Sequence, residues 1–329
     1  MNRYISDQAT LEELVSITSE RLGLNEPYVV EKDLYVTLAI ETLINIDSPH
    51  FKLVFQGGTA LAKAHRIVQR MSEDCDFRII RREGQHFSNE QQRRFLRNFR
   101  KQLIEGLESS GFLINESDIT VRNEGQFIMF IATHPTIFPI AQALKPHLAL
   151  EFFLGELRTP SITKPVTTLI RETIGDKIIH PQFQVEVMSL EETAAEKWVA
   201  LTRRVATMTR QSGHQDPNLV RHLYDLYKMQ EQGSLKQPFL NLITEIIQQD
   251  REQFKSHNAQ YHKDPTSEIE RALVELESDS KWEHYWSDFV QTMVFDQQKP
   301  SYAMALESFK RIMPSKCTQD VLVCNELLD

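Results

Sequence analysis

Apolar positions recur at helical spacing from the start of the chain. Leu11, Leu14, Val15, Ile17 and Leu22 form one set, and Tyr35, Leu38, Ala39, Leu43 and Ile44 form another after the charged step Glu31-Lys32-Asp33. The spacing predicts two packed helices. Lys52 to Gln56 is a short apolar run stopped by Gly57-Gly58, and Thr59 is placed to cap a helix beginning Ala60-Leu61-Ala62-Lys63. Cys75 to Ile80 alternates and is rich in β-branched residues, so it predicts a strand, followed by a long helix from Asn89 to Ser109. Further strands are expected over Gln126–Thr133, His147–Leu154 and Phe183–Val187, with loops around Pro135, Pro139, Pro160 and Pro165.

The periodicity changes at Leu190. From there it predicts only helices, over 190–210, 217–232, 236–253, 266–276, 279–294 and 300–312. The expected organisation is therefore a mixed-sheet domain over 1–188 that includes the N-terminal helices, and an all-α domain over 189–329. No internal repeat or heptad seam appears.

Length supports the division, since 329 residues exceed the roughly 250–300 at which a single core stops growing. With 37 Lys+Arg against 46 Asp+Glu the net charge is -9, which excludes a protein that coats nucleic acid non-specifically. The cysteines, Cys75, Cys317 and Cys324, are odd in number and lack CxxC spacing, so a disulfide framework and a zinc knuckle are not indicated and a reducing cytoplasm fits. The first residues lack the order of a signal peptide, and no run approaches the roughly 20 apolar residues that span a bilayer. A membrane partner is not expected. The eleven histidines, among them His134, His147, His180, His214 and His222, form no HxxxH pattern. Neither a GxSxG elbow nor a GxxxxGK[ST] loop is present.

The chemistry concentrates in Phe55-Gln56-Gly57-Gly58-Thr59 and Arg70-Met71-Ser72-Glu73-Asp74-Cys75-Asp76-Phe77. Paired glycines before a helix N-terminus let a ligand approach backbone N–H groups, where the helix dipole favours phosphate, and Thr59 can add a hydroxyl donor. Asp74 and Asp76 lie two apart on a strand, so both carboxylates share one face while Cys75 and Phe77 point to the other. Two such carboxylates suit a divalent cation that draws its remaining oxygens from substrate phosphates. Glu151, inside the apolar run Leu148 to Phe153, is the candidate third carboxylate, because a charge in such a strand needs a partner.

The segments GGTALAKAHRIVQRMSEDCDFRI, LALEFFLGELRTP, AAEKWVALTRR and VRHLYDLYKM resemble successive motifs of the AbiEii/AbiGii toxin family, nucleotidyltransferases of the DNA polymerase β type. The resemblance runs from about Val30 to Met229. It implies an α+β fold in which a nucleotidyltransferase mixed-sheet domain precedes a helical domain that contributes Lys197 and Asp225 to the site. It further implies that Gly57, Gly58, Thr59, Lys63, Arg70 and Ser72 bind the nucleotide, and that Asp74, Asp76 and Glu151 bind Mg²⁺ or Mn²⁺. Asp74, Asp76, Lys197 and Asp225 are then catalytic. The implied activity is NMP transfer from an NTP to an acceptor hydroxyl by the toxin of a toxin–antitoxin or phage-defence pair. In some relatives the acceptor is a tRNA 3′ end, and a cognate antitoxin is the expected protein partner.

Helical spacing also places Lys197 with Leu201 and Arg204, and Arg221 with Asp225, on shared faces. One further feature concerns the acceptor. Arg78, Arg81, Arg82, Arg93, Arg94, Arg97, Arg100 and Lys101 form a basic island opposed only by Glu83 and Glu90, with Arg93, Arg97 and Arg100 on one side of the expected helix. That stripe is the candidate RNA contact, and a solvated helix face is the plainer reading. Two other functions stay open on sequence grounds: transfer to a small molecule or protein hydroxyl, and a non-catalytic module binding nucleotide or a partner.

Overall fold

The computed structural model describes residues 8–141, 144–175, 182–210, 215–233, 235, 237–256 and 258–312. Cys317, Cys324, His180 and His214 lie outside the described residues. The chain forms two compact units: Met1–Arg66 with Met71–Met188, and Ile67–Arg70 with Ser189–Asp329.

The first unit runs α1 (Gln8–Leu22), α2 (Tyr28–Ile44), β1 (Phe51–Gln56), α3 (Gly57–Lys63), β2 (Asp74–Arg81), α4 (Asn89–Ser109), β3 (Ile119–Arg122), β4 (Phe127–Thr133), β5 (His147–Leu154), β6 (Ile162–Thr167), α5 (Leu169–Ile174) and β7 (Gln182–Val187). Among the described residues the strands make one seven-stranded sheet in the order β3-β4-β5-β2-β1-β7-β6. β2 pairs parallel with β5 and β1 parallel with β7, while the other neighbours are antiparallel. The unit is α+β with a mixed sheet.

Strand alternation becomes two adjacent rows across the sheet. In one row Phe55, Phe77, Phe152 and Ile128 are in register and buried, with ring centroids 5.3 Å apart for Phe55–Phe77 and 5.5 Å for Phe77–Phe152. One residue further along, Gln56, Asp76, Glu151 and Met129 are in register and only half-buried. Each buried phenylalanine is worth roughly 1.5–3 kcal/mol, and a one-residue slip would drive Asp76 and Glu151 into the core, so the phenylalanine row holds the acidic row in place. Over the apolar face lie α2 and α4, the latter through Leu96, Phe99, Leu103 and Leu107. α4 starts at a capping box in which Ser88 Oγ accepts from Gln91 N–H and Gln91 Oε1 accepts from Ser88 N–H. A smaller apolar cluster joins Leu11 and Val15 of α1, Val30 and Leu34 of α2 and Ile170 of α5.

Periodicity did not predict β3, β6 or α5. β3 has four residues, none buried, and β6 carries Pro165 and buries only its last two positions. Both are edge strands, where one face of alternation is not enforced and proline is tolerated. α5 is only six residues long and is capped by Thr168 Oγ1 on Arg171 N–H at 3.1 Å. Thr59 does not cap α3 as expected: the helix already begins at Gly57, with Gln56 at the cap position.

The second unit comprises α6 (Leu190–Arg210), α7 (Val220–Glu231), α8 (Gln237–Gln253), α9 (Ala259–Lys263), α10 (Pro265–Ser278), α11 (Lys281–Met293) and α12 (Tyr302–Arg311). Trp198 of α6 is fully buried and stacks on Phe309 of α12 at 5.8 Å. α10 opens with Asp264 capping Ser267 N–H at 3.0 Å and Pro265 in its first turn, where no N–H is missed. Ile67–Arg70 joins this unit from between α3 and β2. Phe295 N–H donates to Gln69 O at 3.0 Å, and Arg70 bridges antiparallel to Val294. No described helix is long and apolar enough to cross a membrane.

Candidate active site

The Gly57-Gly58 turn sits where β1 runs directly into α3. Gly57 has φ +78°, a conformation that side chains resist, and a Cβ built on it would overlap Asp76 Oδ2 and stand 2.9 Å from Asp76 Cγ. The glycine is therefore required twice, by its backbone and by the carboxylate packed against it. Thr59 is buried, and its hydroxyl is engaged within the protein: Oγ1 lies 2.8 Å from Ser72 Oγ and also contacts the carbonyl oxygen of Asp74. The threonine and serine expected at the phosphates brace the entry of β2 against α3. Lys63, also expected at the nucleotide, is ion-paired with Asp33 of α2.

Asp74 and Asp76 share the half-buried side of β2, while Cys75 is fully buried beneath them. Burial, with the two aspartates adding to it, pushes the Cys75 thiol far above its ordinary range, so it stays protonated and inert. Glu151 of β5 is the register partner of Asp76. Lys145, which sequence reasoning missed, places Nζ 3.1 Å from Asp74 Oδ1. Among the described residues no three His, Cys, Asp or Glu side chains gather into a group that would hold a metal by themselves. Magnesium commonly binds through one or two carboxylates and completes its octahedron with water and substrate phosphates. The donor set here, hard oxygens on one strand beside a glycine turn, fits that mode.

Lys197 and Asp225 meet inside the helical unit. Lys197 Nζ lies 2.9 Å from Asp225 Oδ2, and Arg70 grips the same carboxylate in a fork, Nε to Oδ1 and Nη2 to Oδ2, each at 2.7 Å. Arg70, assigned to the nucleotide from sequence, is buried and committed to Asp225. Burial alone would raise the Asp225 carboxyl, but Arg70 and Lys197 more than offset it and hold the group well below the usual carboxylate range. The fork fixes the aspartate, and the aspartate fixes the lysine. His222 beside them is fully buried and kept neutral, by burial first and by Lys197 and Arg204 second.

The basic island divides in two. Arg78 is buried and donates Nε to Gln56 Oε1 at 3.1 Å, Arg81 pairs with Gln92, and Arg82 Nε donates to Ser48 O at 2.7 Å. These three serve the fold. Arg93, Arg97 and Arg100 line one wall of a cleft of about 360 Å³ whose other wall includes Arg122, Asn123 and Glu124. Arg93 is held by Glu124, Nε to Oε2 at 2.7 Å. Arg122 escaped sequence reasoning because it lies in the unpredicted strand β3.

A mixed sheet that sets a glycine turn against an alternating aspartate pair is the frame of a nucleotidyltransferase, and that is the class of this protein. The family model "Nucleotidyl transferase AbiEii toxin, Type IV TA system" matches residues 44–308, and the chain belongs to that family of nucleotidyltransferase toxins. Membership implies a nucleoside triphosphate substrate and an antitoxin partner. Among solved structures the chain is similar to MenT4, nucleotidyltransferase toxin Rv2826c from Mycobacterium tuberculosis H37Rv, with 15% identity and a TM-score of 0.46 over 94% of this chain and 93% of that one. No curated protein matches the chain.

Proposed function

We propose that this toxin transfers a nucleoside monophosphate from an NTP to a hydroxyl of an RNA acceptor, such as a tRNA 3′ end, in the cytoplasm as part of phage defence. The acceptor oxygen bonds to the α-phosphorus, the bond to the β-phosphate oxygen breaks, and pyrophosphate leaves. Asp74 and Asp76, with Glu151 beside them, would hold Mg²⁺ or Mn²⁺, which when bound screens the triphosphate and stabilises charge on the transferred group. The N–H groups of the Gly57-Gly58 turn are assigned to phosphate oxygens, and Ser72 and Thr59 keep the turn against β2. Lys197 is assigned to the developing phosphate charge, with the Arg70–Asp225 fork as its mount. Arg93, Arg97, Arg100 and Arg122 are assigned to acceptor phosphates.

The observation that carries this reading is the abutment of Gly57 on Asp76, which supports a phosphate and a cation being bound side by side. Incubation with each α-³²P-NTP and total RNA is expected to label RNA, and Asp74→Ala to abolish the label while circular dichroism stays unchanged. Undiminished labelling by Asp74→Ala would overturn the assignment of the acids. Label on small acceptors or protein alone would overturn the RNA acceptor.

A further inference from the structure

Glu31, Lys32 and Asp33 stand consecutively on α2, in the stretch ahead of the residues matched by the family model. Glu31 and Lys32 are fully buried. Three charges in an apolar helix would be ruinous without partners, and each has a different set. Glu31 accepts from Ile137 N–H at 2.7 Å and Phe138 N–H at 3.1 Å. Asp33 accepts from Leu169 N–H at 2.8 Å and pairs with Lys63 of α3.

Lys32 has the most demanding role. Its ammonium has three protons and three acceptors: Glu73 Oε2 at 2.5 Å, Lys145 O at 2.5 Å and His147 O at 3.0 Å. Glu73 Oε2 also accepts from Lys145 N–H at 2.8 Å. Glu73 immediately precedes Asp74 of β2, and residues 145–147 lead into β5, which carries Glu151. One buried cation thus clamps the leading ends of the two parallel strands whose register pairs Asp76 with Glu151. Parallel strands have no hairpin turn between them to set register.

We propose that Lys32 is a positioning residue that aligns the strand of Asp74 and Asp76 with the strand of Glu151, acting through Glu73 and the backbone at 145–147. Its consequence for metal binding rests on the reading of those three acids given above. Glu31 and Asp33 extend the same anchor to the 137–138 segment and to the helix that follows the glycine turn. Lys32 touches neither nucleotide nor cation in this scheme.

The test uses the full-length protein. The double substitution Lys32→Met with Glu73→Gln removes both buried charges together, so neither is left unpaired. Lys32→Arg keeps the charge but replaces the three-pronged ammonium with a planar fork, and it carries the test should the double variant fail to fold. Hydrogen exchange is expected to show lost protection in peptides spanning 72–77 and 145–152, with α4 unchanged. Calorimetric titration of Mn²⁺ in the presence of a non-hydrolysable NTP is expected to show Mn²⁺ affinity lowered at least tenfold, and at saturating Mn²⁺ kcat falls while KM for NTP changes little. Unchanged exchange in those peptides of a folded variant overturns the proposal. Lost protection in a protein whose wild type binds no Mn²⁺ sustains the positioning role and refutes the metal site, so the two failures are distinguishable.

Discussion

Gly57 and Asp76 are so close that a single added carbon on the glycine would overlap the aspartate carboxylate, reaching Oδ2 and coming within 2.9 Å of Cγ. The turn that would take phosphate and the acid that would take the cation are one packed unit. Asp76 cannot keep its rotamer if residue 57 gains a side chain.

Gly57→Ala is therefore expected to lose most nucleotidyl transfer. Gly84 has nearly the same strained backbone, φ +73°, and a Cβ built there meets nothing within 4 Å, so Gly84→Ala isolates the backbone cost. Gly84→Ala should lose about 1–2 kcal/mol in urea unfolding, Gly57→Ala at least as much because the Asp76 contact adds to the backbone cost, and only Gly57→Ala should lose activity. Equal activity in the two would show that the contact with Asp76 is immaterial.

Asp225→Ala leaves the buried Arg70 and Lys197 without their carboxylate and should cost roughly 3–5 kcal/mol in chemical denaturation. The depressed carboxyl sets the pH window. Its stabilisation is complete above the unfolded value of about 4 and is lost only as pH falls through the lower folded value. The deficit of the variant relative to wild type should therefore be constant from about pH 8 to 5.

His134 is buried against Tyr35, ring centroids 4.0 Å apart, and burial first, with Lys32 and His147 adding to it, lowers its pKa to about 4 despite a 3.0 Å contact from Nδ1 to Pro135 O. The unfolded chain takes a proton near pH 6.5 that the folded chain refuses, so stability falls as pH drops from about 6.5 toward 4. The loss reaches about 3 kcal/mol for this one group. Thermal melts of His134→Phe should show a shallower acid limb over that interval than wild type.

Arg97→Gln and Arg100→Gln should weaken RNA binding without changing NTP affinity, because both line the arginine cleft and neither is among the residues of the glycine turn. Each lost phosphate contact should lower the slope of log affinity against log salt by about 0.7–0.9. Unaltered slopes, measured by fluorescence anisotropy across a salt series, would return the stripe to an ordinary solvated helix face.

How much of this was legible follows from where side chains repeat. Alternation along β2 and β5 and the α4 face of Leu96, Phe99, Leu103 and Leu107 are regular in period, so these strands and this helix are legible from the sequence. Edge strands β3 and β6 have no such period, and Arg122 was lost with them. The Lys32 clamp does leave a trace in the sequence: the reasoning that singles out Glu151, a charge inside an apolar run needing a partner, applies equally to Glu31 and Lys32. What no spacing could reveal is which partner each charge takes. Arg70 next to the RxSxDxD segment looks like a phosphate ligand, yet it is committed to Asp225, 155 residues away.

The small segment Ile67–Arg70 makes the helical unit discontinuous in sequence. A fragment cut at Ser189 would be missing both the Gln69 carbonyl that receives Phe295 N–H and one of the two cations on Asp225. During synthesis Arg70 is made long before residue 225, so its guanidinium must wait, hydrated, for 155 further residues before its carboxylate exists. The ion cluster of Arg70, Lys197 and Asp225 therefore closes late on the ribosome, and a nascent chain broken off ahead of Asp225 would carry Arg70 and Lys197 without the carboxylate that both of them hold.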